Sequence, residues 1–76
     1  MNIVVQLEEL NKQISELLEL SRHFQKEQDI ARYKGNVSLF FAFMSMSKLC
    51  VRQAKGLFLN LESKEILKNV DLQLRL

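Results

Sequence analysis

Residues 36–50 read NVSLFFAFMSMSKLC, and whether this stretch is strand or helix decides the fold. It carries no charge before Lys48 and holds three of the chain's five phenylalanines, Phe40, Phe41 and Phe43. Phe and Val favour strands. Length argues the other way, because apolar residues run on from Val37 past Phe58, further than a strand usually reaches. Wound as a helix, the segment has one face of Phe40, Phe43, Met44, Ser47, Val51, Ala54 and Phe58, and another of Leu39, Met46, Cys50 and Leu57. A helix that is apolar on two sides has to be covered on two sides. Lys48, Arg52 and Lys55 fall on a third, solvated stripe. Gly56 costs such a helix about 1 kcal/mol relative to Ala and marks a bend or a close approach.

Upstream of this stretch, Gly35-Asn36 is the best break in the chain. Glycine tolerates the left-handed conformation that ends a helix, and an asparagine side chain can accept a hydrogen bond from the first turn of the next. Before the break, Ile3, Leu7, Leu10, Ile14, Leu17, Ser21, Phe24, Gln28 and Ala31 alternate in steps of four and three, the seam of an amphipathic helix. Leu18 and Leu20 widen that seam, and Glu8 precedes Lys12 by four residues, the favourable order for a surface pair. The polar run Gln25–Asp29 is where this helix is expected to end or fray.

Downstream, LESKEILKNVDLQLRL (61–76) reads two ways. Ser63 caps a short helix with Ile66, Leu67 and Val70, or Val70, Leu72, Leu74 and Leu76 alternate as in a strand. The helix is the favoured reading, continuing as an apolar tail. The fold expected is therefore all-α, one domain over 1–76: an antiparallel helical hairpin of helices at about 2–32 and 36–60, a turn at 33–36, and a short third C-terminal helix or tail at 63–76.

A chain of 76 residues buries only about 60% of its unfolded surface. With 47% hydrophobic and 26% charged residues it has the composition of a folding domain rather than a disordered one. Its single cysteine, Cys50, excludes an internal disulfide, and its apolar neighbours make it a small buried hydrophobe. The net charge of +2 is too slight to indicate a partner. The start, MNIVVQLEEL, has neither the basic region nor the cleavage site of a signal peptide, and the uncharged run 35–47 is shorter than the ~20 residues of a membrane span, so a cytoplasmic chain without a membrane span is expected.

Catalytic chemistry finds no footing in these residues. His23 is the only histidine and has no cysteine or carboxylate at a diagnostic spacing; it reads as a solvated helix residue rather than a base. One His and one Cys cannot build a soft metal site, and two glycines cannot build a phosphate loop. No enzyme activity, cofactor, metal or small-molecule ligand is expected. The Lys48, Arg52, Lys55 stripe offers three phosphate contacts, enough only for weak, salt-sensitive binding to nucleic acid.

The methionine- and phenylalanine-rich stretch carries the functional signal. One helix hairpin has one seam, and each Phe or Leu left outside it forgoes ~1.5 to 3 kcal/mol of burial. Leu39, Phe40, Phe41, Phe43, Met44, Val51 and Phe58 are therefore the candidate partner-binding residues, for a protein partner or for self-association. Two other readings stand beside this one: a homodimeric hairpin that binds nucleic acid, and an immunity-type inhibitor.

Leu7, Glu8 and Leu10, followed by Tyr33, Asn36, Leu39 and Ala42 in the spacing Y-x2-N-x2-L-x2-A, give the chain a pattern that resembles the YscE-like co-chaperones of type III secretion needle subunits. That resemblance implies a cytoplasmic helical-hairpin chaperone subunit in a heteromeric complex. Its partner would be a larger helical co-chaperone and, through it, a secreted needle subunit, with the contact on the second helix.

Overall fold

The computed structural model describes residues 2–75. They form two helices, α1 (Ile3–Tyr33) and α2 (Val37–Arg75), with no strand among the described residues. Asn2 starts α1 by accepting the Val4 N–H on its side-chain oxygen at 2.9 Å. The chain then reverses over very few residues. Gly35 takes φ +72°, its N–H donates to the Arg32 carbonyl, and the Asn36 N–H donates to the Ala31 carbonyl at 2.9 Å, a Schellman closure. The Asn36 side-chain oxygen accepts the Leu39 N–H at 3.2 Å and opens α2.

The two helices run antiparallel. From the turn outward, Phe24 stacks on Phe43 with ring centroids 6.1 Å apart, the Ser21 and Ser47 hydroxyls lie 3.1 Å apart, and Lys64 Nζ donates to Gln6 Oε1 at 2.9 Å. The result is a rod of 62 × 15 × 15 Å. Every residue of the four-three series from Ile3 to Ala31 is buried or half-buried, so the sequence period and the packing seam coincide. The polar run Gln25–Asp29 does not end α1: Gln28 is half-buried and Ala31 buried, so the seam continues to the turn.

On α2 a matching series passes through Phe40, Phe43, Ser47, Cys50, Ala54, Leu57 and Leu61, all buried or half-buried. Cys50 and Leu57 thus belong to the seam rather than to a second face. A helix faces its partner once every 3.5 residues, and both positions fall on that repeat. The separate third helix expected at 63–76 is not formed either. α2 continues unbroken through Ser63, because no glycine or proline follows Gly56 and both Leu61 and Lys64 remain on the seam. Leu76, the last residue of the strand-like alternation, lies outside the described residues.

The core is thin. Its buried residues are Leu10, Ala31, Cys50, Ala54 and Leu61 with Ser21 and Ser47, and among the described residues no large side chain is completely enclosed. Small side chains at mid-seam let the backbones approach, and the serine hydroxyls bond to each other and to the facing carbonyls, so no buried side-chain polar atom is orphaned among the described residues. α2 has 39 residues against 31 in α1. With Lys64 already opposite Gln6, its last turns project beyond the start of α1.

Candidate protein-binding surface

Two helices share one contact, and the shape shows the consequence. The exposed area is 6042 Å² for 8.9 kDa, where a compact monomer of that mass exposes about 4,800 Å². The radius of gyration is 17.6 Å, against about 11 Å for a compact domain of this length. Much of the excess is apolar. Phe41 remains 53% exposed, Phe58 49%, Leu49 51% and Leu67 61%.

The structure divides the seven candidate residues among four places. Phe43 belongs to the seam through its stack on Phe24. Phe40 is half-buried at the turn, edge-on to Phe41 at 5.3 Å, and both line a hollow of about 270 Å³ with Val37, Arg32, Gly35 and Asn36. Met44, Val51 and Phe58 follow at intervals of seven along one flank of the seam, where Val51 and Phe58 form an open groove of about 240 Å³ with Ile14, Leu18 and Ala54. Val37 begins the same flank one heptad before Met44. This flank and the turn hollow form one strip along α2, into which Lys48 and Lys55 intrude at the heptad position of Phe41. Leu39 lies on the opposite flank, beside Ile30 and Phe43.

Lys48, Arg52 and Lys55 are exposed and border the strip, lining a shallow groove with Gln25, Ser47 and Val51. The strip thus sets apolar anchors among basic residues, a surface suited to an amphipathic helix with acidic residues beside its apolar face. Sequence reading missed Leu18 and Val37. Leu18 shows only as a widening of the α1 seam, and its place next to Val51 depends on how the two helices register. His23 is exposed and lies tilted against Phe24 at 5.8 Å. No three His, Cys, Asp or Glu side chains among the described residues are grouped to hold a metal, and no helix among them is long and apolar enough to cross a membrane.

Compared with protein-family models, with curated proteins and with solved structures, the chain matches none.

Proposed function

We propose that this chain is a non-enzymatic protein-binding subunit, a small cytoplasmic co-chaperone that holds a helical partner along the strip formed by Val37, Phe41, Met44, Val51 and Phe58. One observation carries the reading: a hairpin whose seam positions are already used still leaves Val37, Phe41 and Phe58 exposed, with Met44 and Val51 half-buried beside them. Exposed apolar rows of this length are costly in a protein that stays single, and large aromatic and Met side chains are the usual anchors of protein interfaces. The narrower form, a partner of a larger co-chaperone in type III secretion, is supported by the resemblance in Leu7, Glu8, Leu10 and the Tyr33-Asn36-Leu39-Ala42 spacing. Half of that spacing has a local explanation as well, since Asn36 caps the N–H of Leu39.

A tagged chain used for affinity capture, beside its Val51→Glu and Phe58→Glu variants, tests the reading. Phe58 is 49% exposed and Val51 half-buried beside Ile14 and Leu18, so retained helix content is checked for each variant by circular dichroism. A defined protein retained by the parent and released by both variants is the expected result. Retention of the same proteins by parent and variants alike would sink it.

A further inference from the structure

A second uncharged series runs along α2 and takes no part in the hairpin. Starting at Leu39 it steps by three and four to Leu74, and every member is exposed and without charge. It lies about a third of a turn from the seam, on the flank opposite Val51 and Phe58. Its ends are apolar: Leu39, Met46 and Leu49 on one side, Leu67, Val70 and Leu74 on the other. Its centre is small and polar, with Gln53, Gly56 and Asn60. Gly56 is the midpoint of α2, and the series reads similarly in both directions from it, an amide first and apolar residues beyond, except that Ser63 answers Leu49.

We infer that this stripe is a self-complementary interface, on which a second copy of the chain lies antiparallel and crosses at Gly56. In that arrangement Leu39 meets Leu74 of the second copy, Met46 meets Leu67, and Ala42 meets Val70. Leu49 falls near Ser63, so here, as at Ala42 with Val70, a large side chain opposes a small one, whereas a parallel pair sets Leu on Leu and Ser on Ser at these positions. Gln53 meets Asn60, an amide pair that fixes register. Gly56 meets itself on the two-fold axis, as an isologous contact requires.

Three observations support a copy of the same chain as the occupant. The first is the mirror order just described, which suits an identical helix. The second is Gly56, for which the monomer provides no reason: its φ is not positive and a Cβ built there meets nothing within 4 Å, so the absence of a side chain serves a neighbour outside the chain. The third is area. The whole rod exposes roughly 1,200 Å² more than a compact monomer of its mass, room on its two flanks together for a standard-size interface of ~800 Å² per partner. An antiparallel copy also covers the projecting end of α2, placing Leu67, Val70 and Leu74 beside the turn end of its partner. The stripe is distinct from the strip assigned to a helical partner, so the two can be occupied together and tested apart.

Sedimentation equilibrium of the purified chain is expected to give a dimer, and a monomer at tens of micromolar would overturn the inference. Gly56→Leu and Met46→Glu, both at exposed positions, are expected to raise the dimer dissociation constant at least about tenfold with helix content retained, while Phe58→Glu, exposed on the other flank, leaves it unchanged. The reverse pattern would place the contact on the other flank and overturn the proposal. In a Cys50→Ala background, chains bearing Met46→Cys are expected to form a disulfide with chains bearing Leu67→Cys and not among themselves. Efficient Met46→Cys self-linkage would indicate a parallel pair and overturn it as well.

Discussion

Gly35 holds φ +72° with open space around it, so its role in the turn is conformational and owes nothing to packing. Gly35→Ala forces an L side chain into the left-handed region and is expected to cost about 1 kcal/mol in urea unfolding, with Gly35→Asn costing less. Ser21 and Ser47 pose a different residue-scale question. Each hydroxyl reaches both the other hydroxyl and the facing carbonyl, so removing one leaves the other still bonded. Ser21→Ala and Ser47→Ala should each cost about 1 kcal/mol or less, and the double variant less than the sum of the two, a coupling that a double-mutant cycle measures. Ser21→Leu, by contrast, overfills the closest approach of the helices and should cost about 1–3 kcal/mol.

Each helix owes its length to a seam that is never broken. α1 passes through a polar run because Gln28 and Ala31 keep the four-three spacing, and α2 passes through Ser63 because Leu61 and Lys64 do the same. Two neighbouring phenylalanines show how a single step around a helix changes what a side chain does. Phe43 is stacked on Phe24, whereas Phe41, two residues earlier, is half in solvent. Phe43→Ala is expected to destabilise the hairpin by about 2 kcal/mol or more, and Phe41→Ala to change it by less than about 0.5 kcal/mol, both read from urea midpoints under conditions where the chain is monomeric. The sequence showed the density of apolar residues here but divided them differently. Helical spacing read from the sequence left Cys50 and Leu57 on a second face, and the structure buries Cys50 and half-buries Leu57 against α1.

At the scale of the whole molecule, a rod 62 Å long and 15 Å wide has too much surface for its mass. A chain that buries the surplus against a second copy gains stability by mass action, because the folded form associates and the unfolded form does not. Its melting temperature is therefore expected to rise with protein concentration, and Met46→Glu to flatten that dependence; differential scanning calorimetry over a hundredfold range of concentration checks both.

The sequence by itself determined the all-helical class, the α1 seam from Ile3 to Ala31, the reversal at Gly35-Asn36 and the presence of more apolar surface than one hairpin can hide. These are local properties: a 3.6-residue period, a glycine free to take positive φ and an asparagine able to cap are all written in consecutive residues. Only the tertiary structure decided which apolar residues are seam and which remain free, that Leu18 joins Val51 and Phe58, and that α2 runs on past the start of α1. Those outcomes depend on the register between two helices, set by pairs such as Phe24 with Phe43 and Gln6 with Lys64, and residues so far apart in the chain exchange no signal until it has folded back.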